Sequence, residues 1–296
     1  MTFSDVPGAF EKYGDQEGVR GMAKIIFSCS HSSRTAISGL WTKSPLLVQR
    51  ALYPDTKLTE MAHVYLMSSA GGVLQGDRID IEIDAEDNTL ARITTQSATK
   101  IYKMDKGYAI QKVNIRAGEG SYVEFVPRQL IPFKSSRFFQ DVTIKAATGS
   151  TVLYAETVST GRTASGEHFD FDICFLRIRA LDPENHLLFS DVSCIEPSID
   201  RKETFDRLFG GKSIWSTIYV LAPDSNLAGM GKEITEAALG GPVLAGCSLL
   251  PNDCGLFVRM LDNSIDRIEE MISLVTAIVR NNSKAVSRKS KKASRC

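Results

Sequence analysis

Apolar and polar residues alternate along much of this chain. Ile79, Ile81 and Ile83 stand between Asp80, Glu82 and Asp84, the period-two pattern of a strand with one buried face. Phe169, Phe171, Ile173 and Phe175 alternate in the same way with Asp170, Asp172 and Cys174. Their phase slips at Leu176, which predicts a bulge. Shorter strand-like segments fall at 22–29, 35–40, 45–50, 62–67, 90–96, 108–116, 122–126, 141–146, 151–158 and 213–221. Turn signals such as Ala117-Gly118-Glu119-Gly120 and Thr148-Gly149-Ser150 separate them. Leu187–Ile195 is placed to pair with the Phe-rich strand across Asp182-Pro183-Glu184-Asn185. So many short strands predict a mainly β fold, either a sandwich or a helical stack of short-stranded sheets.

The last third changes period. Leu227, Met230, Ile234 and Ala238 trace one helical face that stops at Gly240-Gly241-Pro242, predicting a helix over about 226–239. A hairpin follows around Pro251-Asn252-Asp253. Ile265, Ile268, Ile272, Val275 and Val279 then stripe a second helix over about 264–281. Residues 1–20 read as a loose leader, 21–282 as one β-rich domain, and 283–296 as a basic, disordered tail.

Composition adds limits. The 296 residues carry no apolar run long enough to cross a bilayer, and the N-terminus lacks an apolar signal core, so cytoplasmic residence is expected. Six cysteines, at 29, 174, 194, 247, 254 and 296, form no Cys-x-x-Cys pair and read as small buried hydrophobes. The zero net charge hides an asymmetry, because seven basic residues and no acids lie between Arg280 and Cys296. The remainder therefore holds 28 basic residues against 35 acidic ones, a formal charge of −7. No aromatic residue interleaves the basic end, which argues against nucleic-acid binding.

The chemistry is dispersed. Gly71-Gly72-Val73-Leu74-Gln75-Gly76-Asp77-Arg78 begins like a phosphate loop, but Asp77 and Arg78 replace the required Lys and Ser or Thr. A strand follows where a helix N-terminus would be needed, so nucleotide binding is rejected here. There is no Gly-x-Ser-x-Gly elbow, and His63, His168 and His186 have no neighbouring nucleophile. No compact metal spacing occurs, and the side chains of Glu167 and His168 would point to opposite faces of a strand. A second glycine cluster, Gly161-Arg162-Thr163-Ala164-Ser165-Gly166-Glu167, mirrors the first, with Glu156 and Asp191 on flanking strands. These acids could line a polar passage for a divalent cation. Spacing alone favours the plainer alternative, in which Arg162 pairs structurally with one of them.

Several blocks in order resemble the urease accessory protein D family (UreD, called UreH in some bacteria). They are Val48-Gln49-Arg50, Tyr53-Pro54, Gly72 through Asp77, and Thr94 through Tyr102, which includes Thr95, Gln96, Lys100 and Tyr102. Pro127 through Phe133 follows, with Pro132 and Phe133, then Ser136-Arg137, Glu156, Gly161-Arg162 and Gly166-Glu167. Ala51 departs from the proline that family members often carry, and the basic end after Arg280 lies outside the pattern.

The resemblance implies a non-enzymatic scaffold for nickel delivery, mainly β with two helices. It implies a complex with UreF and the GTPase UreG, docking on apo-urease, and no tightly bound cofactor, only transient Ni²⁺. Carried over by position, the acids of the nickel channel would be Asp77, Glu156, Glu167 and Asp191. Competing readings are a β-rich hydrolase using Asp77 and Glu167 as acid and base, and a scaffold with no metal role.

Overall fold

The computed structural model describes residues 6–29, 34–197, 202–223 and 225–287, and the fold is mainly β. Two sheets share the strands. The first holds seven, in spatial order Leu187–Ile195, Ile173–Leu181, Arg137–Ala146, Ala109–Ala117, Arg78–Ala85, Arg20–Cys29 and Thr35–Lys43. The second runs from Leu244–Leu249 through Gly255–Asp262, Ile214–Leu221, Thr151–Ser159, Tyr122–Phe125, Leu90–Thr95 and Ala62–Ser68 to Leu46–Val48.

Between Ala62 and Leu181 the long strands alternate between the sheets, so each lies parallel to the previous strand of its own sheet. Arg78–Ala85 pairs in parallel with Ala109–Ala117, which pairs with Arg137–Ala146, which pairs with Ile173–Leu181. Leu90–Thr95, Tyr122–Phe125 and Thr151–Ser159 repeat this in the second sheet. The chain thus winds as a coil with one strand in each sheet per turn, and the sheets' inner faces meet over a shared core. That core explains the isoleucine alternation: Ile79, Ile81 and Ile83 point inward, whereas Glu82 and Asp84 pair outside with Lys24 and Arg116.

Parallel strands need cover on both faces. Helices Leu227–Leu239 and Ile265–Asn282 bury their stripes against the outer face of the second sheet. Asn226 and Ser264 cap them by accepting hydrogen bonds from the backbone N–H groups of Gly229 and Arg267. Both helices stand where their periodicity predicts. None of the helices among the described residues is long and apolar enough to cross a membrane.

Four expectations change. The leader is packed from residue 6: a short helical segment, Gly8–Tyr13, buries Phe10 completely against Tyr108, Phe139 and Phe175 on the outer face of the first sheet. The tail is docked through Ser287. Residues 284–287 form a further helical turn, Ala285 and Val286 enter the core, and the Ser283 hydroxyl lies 3.0 Å from that of Thr151. Residues 1–5 and 288–296 lie outside the described residues.

There is no bulge at Leu176: the register with Arg137–Ala146 runs unbroken from Arg137↔Ile173 to Lys145↔Leu181, and against Leu187–Ile195 the register shifts only between Ala180 and Leu181. Cys174, Leu176, Ile178 and Ala180 share the inner face, and Phe175 is apolar outside because Phe10 covers it. The strand starts only at Ile173, with Phe169 at a φ of 53°, folded back onto Phe205 and Phe209. A third α-helix, Lys202–Leu208, was not predicted; at seven residues it has too little periodicity to read.

Candidate functional site

The glycine turn crosses from the second sheet to the first, and backbone crowding dictates its residues. A Cβ on Gly72 would lie 2.6 Å from the Lys100 carbonyl oxygen, and Gly76 has a φ of +79° with the backbone of Glu17 equally close. Asp77 is buried and clamps the turn: Oδ2 accepts the Leu74 N–H at 2.8 Å and Oδ1 the Val19 N–H at 2.9 Å. Around this turn the family-like blocks interlock. Tyr102 donates its hydroxyl hydrogen to the Gly71 carbonyl, Thr95 Oγ1 accepts the Arg128 N–H, and Pro132 pairs with Ile101 in parallel strands.

Beneath the turn a cavity of about 90 Å³ opens between the sheets, room for several waters. Asp77, Thr95, Gln96, Lys100, Gln111 and Glu156 are among its lining residues. From it a polar seam crosses the inner faces, between an apolar layer with Val113, Val142 and Ile178 and another with Ala109, Phe138 and Cys174. Gln111 Nε2 donates to Gln140 Oε1 at 2.9 Å. Gln140 Nε2 donates to the Tyr154 hydroxyl at 2.9 Å and to Glu156 Oε2 at 3.2 Å, and Tyr154 donates to the same carboxylate oxygen at 3.3 Å.

Tyr154 stacks on Tyr219, with ring centroids 6.2 Å apart, and Tyr219 donates to Asp191 Oδ2 at 2.8 Å. Arg259 donates to that oxygen at 2.6 Å, where the seam reaches the surface.

Two buried glutamates in this protein meet opposite treatment. Glu124 is held by Arg92 and Arg280, and those hydrogen bonds and charges keep its carboxyl below the usual range despite burial. Glu156 has no such partner among the described residues, only an amide and a phenol. Burial, and after it the charge of Asp191, push its carboxyl up to about 7.

The four predicted acids therefore divide. Asp77 and Glu156 line one cavity, and Asp191 lies within the electrostatic reach of Glu156 along the seam. Glu167 does not join them. It lies at a separate shallow groove with Leu74, Tyr102, Phe133 and Arg162, where both of its oxygens take hydrogen bonds from the Arg162 guanidinium and the backbone N–H groups of Arg162 and Lys134 add two more. Those bonds, led by the guanidinium, hold its carboxyl below the usual range. Arg162 also covers the Phe133 ring at 4.3 Å, and Phe133 packs edge-on against Tyr102.

Gly161, at a φ of +143°, leaves only 3.1 Å between an added Cβ and that of Glu167, and Gly166, at +79°, ends the short helical turn between them. This is the structural pairing that spacing alone favours. His168 turns away, to the Thr160 hydroxyl and Asp206, so Glu167 and His168 make no joint site.

Sequence reasoning missed the uncharged members of the seam, Gln111, Gln140, Tyr154 and Tyr219. The available signal was phase: Gln111 and Gln140 occupy inward positions flanked by Ala109 and Val113, and by Phe138 and Val142. It also missed Asp182, Glu184 and His186, whose ligand atoms lie within 4.8 Å of one another on a hairpin turn at the surface.

These features define a β protein that buries an unneutralised acid in a hydrogen-bonded seam and does not bring Asp77 and Glu167 together as an acid/base pair. Residues 19–292 match the family model described as UreD urease accessory protein. The chain is 38% identical over 254 residues to the urease accessory protein UreD of Cenarchaeum symbiosum, covering 84% of this chain and 87% of that one. It is 34% identical over 261 residues to UreD 2 of Streptomyces griseus, covering 88% and 89%. Against UreD of Haloarcula marismortui it is 34% identical over 252 residues, covering 85% and 83%. The chain belongs to the UreD family of urease accessory proteins, which are not themselves catalysts.

Proposed function

We propose that this chain is the nickel conduit of urease maturation, acting in the cytoplasm with UreF and the GTPase UreG on apo-urease. Ni²⁺ is the cargo. It enters the cavity beneath the glycine turn, passes Glu156 in the polar seam, and leaves past Asp191. Asp77 belongs to the wall of this path, where it shapes the turn, and Glu167 belongs to the neighbouring groove.

The observation that carries this reading is the contrast between Glu124 and Glu156, both buried. An acid that serves the fold alone is neutralised, as Glu124 is by two arginines. Glu156 stays buried without a neutralising partner, beside amide and phenol groups that can turn to suit a passing ion. A borderline cation such as Ni²⁺ binds a lone carboxylate and neutral oxygens weakly enough to be released. GTP hydrolysis falls to a partner, since the glycine turn here lacks the groups that cradle phosphate.

The test is the nickel content of urease matured at limiting nickel with Glu156→Gln in place of the wild type. The conduit reading expects intact partner pull-down and nickel-poor urease. Wild-type nickel loading by the variant would leave a scaffold with no metal role as the better account.

A further inference from the structure

Arg259 lies on the strand Gly255–Asp262, at the surface end of the seam. Its guanidinium donates to Asp191 Oδ2 at 2.6 Å, the oxygen that also accepts the Tyr219 hydroxyl at 2.8 Å. Its charge reaches Glu156 as well, where it opposes the upward push of burial and of Asp191. The guanidinium is thus the direct partner of Asp191 and reaches Glu156 only at longer range, through its charge.

A dication travelling from Glu156 towards Asp191 meets this positive group on the oxygen that it would bind. The two cannot share the site without repulsion. The Arg259 side chain is 54% exposed and touches Asp191 through one nitrogen, so it can swing into water while the acids stay in place. The ring of Phe257, 5.5 Å from the guanidinium carbon, gives it an apolar face along which to move.

We propose that Arg259 is a resident counter-ion which a passing divalent cation must displace, and that it sets how tightly Asp191 and Glu156 hold that cation. This rests on the conduit reading above. With the guanidinium in place the acids are already partly satisfied, so the cation gains little by stopping. Without it, Asp191 and the Tyr219 hydroxyl bonded to it have no positive charge beside them, with Glu156 within electrostatic reach, and the conduit becomes a trap. Arg259 thereby keeps binding weak enough for release.

The test uses Ni²⁺ alone, measured by equilibrium dialysis against the full-length chain. Arg259→Met keeps the length and apolar contact of the side chain and removes its charge, and should bind Ni²⁺ at least tenfold more tightly than the wild type. Arg259→Lys keeps the charge and should stay near the wild type, which also controls for disturbance of the strand. Adding Asp191→Asn to Arg259→Met should abolish the gain. Unchanged or weaker binding by Arg259→Met overturns the proposal, as does a gain that survives Asp191→Asn.

The outcome is separable from the conduit reading. If Glu156→Gln starves urease of nickel while Arg259→Met leaves Ni²⁺ binding unaltered, the conduit stands and the role of Arg259 falls. If Arg259→Met tightens binding while Glu156→Gln loads urease normally, the acids hold nickel at this end but do not conduct it.

Discussion

Glu156→Gln should make the protein more stable, and increasingly so as pH rises. The carboxyl is buried, and its folded value of about 7 stands above an ordinary 4.5. A carboxyl raised on folding favours the folded state below its unfolded value, and that advantage is lost as pH climbs through the folded value. The difference of about 2.5 in pKa corresponds to about 3 kcal/mol by pH 8, at 1.36 kcal/mol for each unit. Glutamine keeps an oxygen to accept from Tyr154 and Gln140 and never ionises, so the variant avoids this loss. At about 2 °C per kcal/mol for a chain of this size, the melting temperature should rise by about 6 °C at pH 8, with little gain at pH 5. Calorimetric melts of both proteins at the two pH values measure it. A variant less stable than the wild type at pH 8, or a difference independent of pH, would refute the reasoning, because Glu156 would then be serving the fold.

Other substitutions separate fold from function. Glu124→Gln removes the only carboxylate of Arg92 among the described residues and leaves Arg280 with Asp55 alone, and should destabilise by about 3–5 kcal/mol in denaturant titration, the opposite sign to Glu156→Gln. Asp77→Ala orphans two backbone N–H groups at a buried turn and should lower stability by about 2 kcal/mol, seen as a lower urea midpoint; an unchanged midpoint would mean the clamp is dispensable. A chain ending at Asn282 loses the buried Ala285 and Val286 and should melt below a chain ending at Ser287, by about 2 kcal/mol of lost burial.

Much of the fold is legible in the sequence where one face of an element is wet. Isoleucine alternation marks Arg78–Ala85 because its outer face carries acids paired in solvent. Ile173–Leu181 misleads for the converse reason: Phe10, over 160 positions earlier in the chain, makes an outward Phe175 apolar, and no local pattern encodes a distant cover. The end of the chain reads as disordered because Lys and Arg dominate its composition, yet two small apolar residues among them suffice to dock 284–287.

The site was readable as a set of acids but not as a place. Asp77 and Glu156 converge because the coil brings the start of one strand beside the middle of another, and Glu167 is drawn off by an arginine five residues away. The glutamines and tyrosines that join the acids carry no charge, so they drop out of any search for ligand motifs. Their inward phase among apolar neighbours was the only mark they left.

On the proposed reading, nickel passes through the cavity between the sheets. Ala98 lines that cavity and carries no ligand atom in its side chain, so Ala98→Trp narrows the path while leaving every acid in place. The deciding measurement is nickel bound per urease after maturation with this variant, under conditions where its partner binding and melting temperature match the wild type. The account predicts loading close to that seen when the protein is left out. Full nickel loading through the plugged variant would contradict it.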